Sequence, residues 1–296
     1  MKIAVLDIGA SHIKSGIITT NSARWADITL VEKKETPSNA RLGGPRLMET
    51  AKNIIAEYAR FDSIGISTAG QVDSGQGIIR FANQNIPDYT GTKIKEIFEE
   101  TFNVPVAVEN DVNAAALGES IFGIGKGAKE KTFLCLTYGG GIGGAIVIDG
   151  KIYKGASFSA GEFGYIITHG KKASFYEEYA STPALVRNIH ALHPELDNGR
   201  KIFLNLDKPE IKEIIDNWIE EILYGLSSLI HIFNPSLVIL GGGVMEQDYI
   251  IESLRKKINQ YIMPGFGDVI LAPAVLGNDA GLWGVGHLAS FFFQRE

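Results

Sequence analysis

The segment VAVENDVNAAALGES, residues 106–120, sets Glu109, Asn110, Asp111 and Asn113 side by side at the end of an apolar run. Val106 to Val108 read as a strand and the alanine-rich stretch after Asn113 reads as a helix, so the polar cluster marks a strand-to-helix junction. Asp111 either caps that helix, a position Asp favours, or serves as an acid–base group. Capping accounts for one carboxylate and leaves the other polar side chains in need of partners at the end of a buried strand. A carboxylate flanked by amides suits holding a polyol and accepting its proton. The helix N-terminus favours the ionised form, which makes Asp111 a ready but weak base. Such a base suffices for phosphoryl transfer, whose loose transition state demands positioning more than proton abstraction.

Three glycine-rich turns follow apolar strands: DIGAS at 7–11, YGGGIGG at 138–144 and LGGGV at 240–244. Glycine lets successive backbone N–H groups close around an anion without a Cβ in the way, so three such turns point to phosphate. Gly139, Gly141 and Gly144 also fit the dinucleotide fingerprint, but that motif requires a following helix. Here AIVIDG follows, a β-branched run closed by the hairpin dipeptide Asp149-Gly150, which argues against a Rossmann dehydrogenase. The Walker pattern is missing from the sequence. Asp7 is either a strand-end turn carboxylate or a group that orients hydrated Mg²⁺ on the phosphates. Gln71, Asp73, Asn83, Asn85, Glu162, Glu177 and Glu178 read singly as turn or surface residues; together they supply the amides and carboxylates of a sugar site. His169, His190, His193 and His231 lack metal-ligand spacing, and no protein-held metal is expected.

In order, these motifs resemble those of the ROK family of sugar kinases within the actin-like ATPase superfamily, across nearly the whole chain. DIGASHIK resembles the family's first phosphate motif, with Ala10 and Ser11 in place of Gly and Thr. YGGGIGGA resembles the second, with Gly140 in place of Thr, and LGGGV resembles the adenosine-side loop. ENDVNAAALGE matches the catalytic segment, which implies Asp111 as general base and Asn110 as a sugar ligand. AGEFGY and EEYAS resemble the segments that imply Glu162 and Glu177 as sugar contacts. GNDAGLWGVG resembles the closing helix. In most members a cysteine-rich zinc loop follows; here Tyr165 replaces the histidine and only a short cysteine-free segment precedes Glu177, so zinc is not expected. Similar zinc-less members include kinases of β-glucosides.

The elements that must position these groups alternate. The first 20 residues read as strand, glycine turn and strand, and a third strand starts at Ile28. Helix GGPRLMETAKNIIAEYARF, strand SIGIST, helix GTKIKEIFEETF and strand VPVAVEN follow. TFLCLTYGGGIGGAIVIDG then repeats the opening plan. Further expectations are a long helix from Phe175 to His190, an amphipathic helix from Lys208 to Phe233, strand SLVILGG, a helix from Met245 to Ile262, strand DVILAP and a last helix from about Asp279. The expected fold class is α/β, a two-domain actin-like (ribonuclease H-like) fold with duplicated mixed sheets around a cleft. Its domains are 1–112, on which the final helix packs back, and 113–296. With 296 residues and 45% hydrophobic content the chain can fill two medium cores.

A net charge of −6 with dispersed Lys and Arg gives no footprint for nucleic acid. The lone Cys135 excludes internal disulfides and lies in an apolar run, as an inert buried thiol does. No signal peptide or membrane-length apolar run is read, so the expected location is cytoplasmic, away from the membrane. The sequence-based reading is an ATP- and Mg²⁺-dependent kinase that phosphorylates a hexose, or a glycoside containing one, at the 6-hydroxyl. Asp111 is the base; Gly70, Gln71, Asn85, Asn110, Glu162, Tyr165 and Glu177 hold the sugar. Asp7, Gly9, Ala10 and Ser11 with Gly139, Gly140 and Gly141 hold the phosphates, and Gly241, Gly242 and Gly243 lie against adenosine. The family resemblance adds a homodimer. Two rivals remain: a repressor, expected to need a DNA-binding segment ahead of the first phosphate strand, and a non-catalytic sugar- or nucleotide-binding regulator, left open by Ala10 and Gly140.

Overall fold

The computed structural model describes residues 1–20, 28–126, 132–170 and 174–293. In chain order its elements are β1 (Lys2–Ile8), β2 (His12–Thr20), β3 (Ile28–Pro37), α1 (Gly44–Ala56), β4 (Ser63–Thr68), β5 (Gln71–Asp73), β6 (Ile78–Phe81), α2 (Ile94–Phe102), β7 (Val106–Asn110) and α3 (Asp111–Ile121). They continue with β8 (Phe133–Tyr138), β9 (Ile142–Ile148), β10 (Lys151–Ile152), β11 (Ile167–His169), β12 (Ser174–Phe175), α4 (Tyr176–Ala180), α5 (Thr182–His190), α6 (Gly199–Phe203), α7 (Pro209–Phe233), β13 (Leu237–Gly241), α8 (Asp248–Lys257), β14 (Ile270–Pro273) and α9 (Ala280–Ser290). Two compact units result: Met1–Lys126 with Lys154–Ala160 and Asn278–Glu296, and Gly127–Tyr153 with Gly161–Gly277.

The first unit carries a sheet ordered β3-β2-β1-β4-β7, in which β1, β4 and β7 run parallel and β2 is antiparallel to both its neighbours, β1 and β3. The second carries β10-β9-β8-β13-β14 on the same scheme, with β8, β13 and β14 parallel. The duplication read from the two strand–glycine–strand openings is thus a repeated sheet topology. Central strands β4 and β13 are buried along their whole length, as parallel strands covered on both faces must be. Asp149 and Gly150 close the β9–β10 hairpin with φ of 51° and 75°, a two-residue turn of the type that dipeptide favours. Cys135 is buried in β8.

Strand β1 shows why its residue order works. Ala4, Leu6 and Ile8 join the core beneath α1 and α2, with Leu47, Ala51, Ile54, Ile55 and Phe98. The alternate residues Ile3 and Val5 join Ala114, Leu282, Val285 and Ala289 from α3 and α9. Helix α9, last in the chain, therefore covers the first sheet. A Cβ on Gly118 would overlap the Ala280 carbonyl oxygen, and one on Gly284 would overlap that of Ala114. These glycines let α3 and α9 touch backbone to backbone, and the first unit takes in α3 and runs to Lys126.

Two helices differ from expectation. The stretch from Phe175 to His190 is broken: Ser181 is extended (φ −75°, ψ 165°) and its hydroxyl accepts from the Ala184 N–H, so it starts α5 anew. Pro183 is the physical reason, since a proline fits a first helical turn and not a helix interior. The helix expected from Met245 to Ile262 holds an α-helical core only over Asp248–Lys257, between 3₁₀ turns at Gly243–Glu246 and Ile258–Gln260.

Candidate active site

In the first unit the parallel strands bring three chain turns to one sheet edge. Ile8 pairs with Thr68 and Thr68 with Asn110, so the turn after β1, Gly70 after β4 and Asp111 after β7 are neighbours at the carboxyl ends of the strands. That edge is where open α/β sheets bind ligands. Asn110, and not Asp111, is the N-cap of α3: its Oδ1 accepts from the N–H groups of Val112 (3.0 Å) and Asn113 (3.1 Å). Its Nδ2 donates to the Gly70 carbonyl (3.0 Å) and to Asp111 Oδ1 (2.8 Å). The amide is therefore saturated within the protein and holds the Asp111 carboxylate by one oxygen. Val112 N–H adds a bond to the same Oδ1 at 2.9 Å. Asp111 stands at the first position of α3, where the helix dipole favours its charge.

Beneath this pair lies a second polar layer. The Glu109 carboxylate is buried, accepting from Asn110 N–H (3.0 Å) and Asn113 Nδ2 (3.2 Å) and meeting Lys154 Nζ at 2.8 Å. Buried Tyr89 shares a hydrogen bond with Thr68 (2.7 Å), and burial holds its hydroxyl neutral, with the nearby Asp111 charge acting the same way. Gly70 has a φ of 101° and no room for a Cβ beneath the Phe81 carbonyl oxygen. Gln71 follows half-buried at the start of β5, and Asn85 sits in an exposed turn where its N–H bonds Asn83 Oδ1 at 3.1 Å.

At the end of β1, Asp7 Oδ1 accepts from Ser67 Oγ (2.7 Å) and Oδ2 lies 3.6 Å from Lys14 Nζ. The following turn is closed by Gly9 N–H to the His12 carbonyl (3.0 Å). Buried Ser38 pins it from behind, donating through Oγ to the Ala10 carbonyl (2.7 Å) and through N–H to that of Ser11 (2.9 Å). Ala10 and Ser11 themselves are exposed. Among the described residues no three His, Cys, Asp or Glu side chains form a cluster able to cage a metal. Asp7, one carboxylate with part of its surface open, nonetheless fits Mg²⁺, which takes one or two carboxylates and completes its shell with water and phosphate oxygens.

The second unit holds the other two glycine turns. Gly139 N–H bonds the Gly141 carbonyl at 3.0 Å, and the chain returns antiparallel through β9, so no helix follows. Gly242, at φ 100°, packs against the backbone of Tyr138 so closely that a Cβ would overlap its carbonyl oxygen. Thr182 Oγ1 donates to that same carbonyl (3.2 Å). Buried Tyr138 joins Tyr176 (2.9 Å), whose hydroxyl reaches the Ile222 carbonyl on α7 (2.8 Å). Both glycine turns thereby border one cavity of about 880 Å³. Gly139, Gly140, Gly243 and Val244 form one side; Pro183, Val186, Asn198, Phe203 and Leu204 from around α5 and α6 form another. Gly241, the last residue of β13, lies just before this turn. The α5–α6 wall escaped sequence reading, although Ser-Thr-Pro at 181–183 and Asn198 before Gly199 are helix-start signals.

Glu177, Glu162 and Tyr165 also lie in this unit and interact. Glu177 Oε2 accepts from Ile142 N–H (3.2 Å), and a Cβ on Gly141 or Gly164 would crowd that oxygen. Two glycines thus make the seat for one carboxylate. Burial and then the Glu177 charge raise the Glu162 carboxyl above its usual range. Burial, Glu177 and Glu162 raise the Tyr165 phenol likewise. Tyr165 is 51% exposed, and its ring stands edge-on to Phe175 at 5.3 Å. Residues 171–173 of the short segment before Glu177 lie outside the described residues.

The model of the ROK family matches residues 3–291. The chain belongs to the ROK family. This ROK protein is 31% identical over 308 residues to the beta-glucoside kinase of Listeria monocytogenes, spanning 100% of this chain and 99% of that one. It is 32% identical to the glucokinase of Streptomyces coelicolor, over 96% of each. A ROK family glucokinase from Streptomyces griseus, solved with glucose and AMPPNP, has the same fold at a TM-score of 0.82 and 27% identity, covering 98% of this chain and 99% of that one. The ROK fold here is the α/β actin-like ATPase fold, and the protein is a sugar kinase.

Proposed function

We propose that this sugar kinase transfers the γ-phosphoryl group of ATP to the 6-hydroxyl of a glucose unit, free or within a β-glucoside, with Asp111 as the base. The observation that carries the reading is the Asn110–Asp111 pair: Asn110 does the helix capping, which releases Asp111 from that structural task and fixes its carboxylate at the strand edge. Relatives that act on glucose and on β-glucosides support the substrate class. A relative solved with AMPPNP and the second-unit cavity between the glycine turns and α5–α6 support ATP.

In this mechanism Asp111 accepts the hydroxyl proton as the oxygen attacks phosphorus in line, one P–O bond forming while the bond to the ADP oxygen breaks. With the N–H groups of Gly9 and Gly139 closing their own turns, those of Ala10, Ser11, Gly140 and Gly141 would hold phosphate oxygens. Mg²⁺ supplies neutralisation of phosphate charge, and Asp7 would hold its water shell. Glu162, Glu177 and Tyr165, with Asn85, Gln71 and Gly70, fix the sugar hydroxyls; Asn110 acts chiefly by orienting Asp111. The family resemblance adds to this proposal a cytoplasmic homodimer. Among the described residues no helix is long and apolar enough to cross a membrane.

The test is ADP release with ATP and Mg²⁺ against glucose, mannose, N-acetylmannosamine, fructose, cellobiose and gentiobiose, with the product located by NMR. Turnover on glucose or a β-glucoside with phosphate on O6 is the expected result. Sugar binding without turnover would replace it with the regulator reading.

A further inference from the structure

Glu109 has a side chain only 2% exposed, directly behind the residues assigned to chemistry. An ionised group at that depth needs a partner of opposite charge. The partner comes from far along the chain. Lys154 opens the short segment Lys154–Ala160, which belongs to the first unit although the residues on both sides belong to the second. The segment closes on itself through Ala160 N–H to the Lys154 carbonyl (3.2 Å), and Gly155 takes a φ of 67° to make the turn. Lys154 Nζ meets Glu109 Oε2 at 2.8 Å and also bonds Ser74 Oγ.

We propose that Lys154 is a positioning residue for phosphoryl transfer, acting through Glu109 on the Asn110–Asp111 pair. The inference rests on the reading of Asp111 as the base. Its path is a run of short contacts: Lys154 Nζ to Glu109 Oε2 (2.8 Å), Glu109 Oε1 to Asn110 N–H (3.0 Å), and Asn110 Nδ2 to Asp111 Oδ1 (2.8 Å). The same Glu109 oxygen holds Asn113 Nδ2 (3.2 Å), so one carboxylate secures both the end of β7 and the first turn of α3. Without the ammonium, Glu109 is a buried carboxylate with no counter-charge, and it is driven to turn away from its site. That movement loosens the two donors on Oε1 and frees the Asp111 carboxylate from its fixed orientation. Misplacement of a reacting group by roughly 1 Å costs on the order of 10²-fold in rate.

The experiment measures kcat and sugar KM by ADP release, sugar affinity by calorimetry and melting temperature for full-length wild type, Lys154→Met, Lys154→Arg, Glu109→Gln and the double variant. Lys154→Met should lower kcat by about 10²-fold and change sugar KM by less than about threefold. Lys154→Arg should restore most of the rate. The double variant, which no longer buries an unpaired carboxylate, should exceed the product of the single effects by about tenfold. Should Lys154→Met not fold, Lys154→Gln, a neutral donor, gives the same readout. A kcat within about threefold of wild type, or single effects that simply multiply, overturns the proposal. An Asp111→Asn variant that keeps its kcat in the same assay overturns instead the underlying reading of Asp111 as the base, and the two failures are thus distinct.

Discussion

At the scale of single residues, the division of labour between Asn110 and Asp111 makes a definite prediction. Asp111→Asn leaves the Asn110 cap intact and removes the proton acceptor, so kcat should fall by about 10²- to 10⁴-fold while calorimetry still records sugar binding. Loss of binding together with rate would assign Asp111 to substrate recognition. Adjacent glycines of the second turn are predicted to behave oppositely. A Cβ on Gly140 meets nothing within 4 Å, whereas one on Gly141 lies against Glu177 Oε2. Gly140→Thr should keep stability within about 0.5 kcal/mol and preserve turnover. Gly141→Ala should displace Glu177 and raise sugar KM by roughly tenfold. Glu162 adds a pH dependence. Its folded-state pKa is raised from 4.5, so the neutral carboxyl is the form the fold favours, and its contribution is complete below that value and lost as pH rises through the raised one. Glu162→Gln should therefore raise the melting temperature at pH 7, and the gain over wild type should vanish on acidification below pH 4.5. A gain independent of pH would rule out titration of Glu162 as its cause.

At the scale of elements, α3 carries the candidate base and meets α9 through two close glycine contacts as well as through its apolar side chains. Gly118→Ala would thrust a Cβ into the Ala280 carbonyl and force α3 from α9. We expect a loss of at least about 1–3 kcal/mol, the ordinary cost of overpacking, seen as a lower denaturant midpoint with an unchanged slope. An unchanged midpoint would mean that the helices separate freely. The sequence was legible where the signal was local. Alternating apolar strands, the three glycine turns, Asp149-Gly150 and the crowd at 109–113 each carry their meaning within a few residues. The break at Ser181 was written there too, in Pro183, but the apolar period on either side ran across it. Strands of two to four residues, such as β5, β6 and β11, are too short to show a period. The stretch around α6 mixes apolar and polar residues without a clear period, which hid one wall of the cavity. Lys154 was invisible for a different reason: its partner Glu109 is distant in sequence, and no local pattern announces an ion pair made by a folded chain.

At the scale of the whole molecule, the repeated sheet gives each unit a glycine turn after its first strand, at 9–11 in one and 139–141 in the other. The cavity assigned to the nucleoside belongs entirely to the second unit. If both turns bind phosphate, nucleoside and triphosphate must leave different footprints. Adenosine has no phosphate to offer the turn after β1, whereas the phosphates of a non-hydrolysable ATP analogue do. Hydrogen exchange should therefore slow around 139–141, 182–187 and 198–204 with adenosine, and additionally at 9–11 with the analogue in the presence of Mg²⁺. Protection at 9–11 with both ligands would mean that the first turn responds to occupancy of the second unit rather than to phosphate. Its absence with the analogue would remove residues 9–11 from the phosphate site, and the Ser38 bonds to Ala10 and Ser11 would then serve only the turn itself.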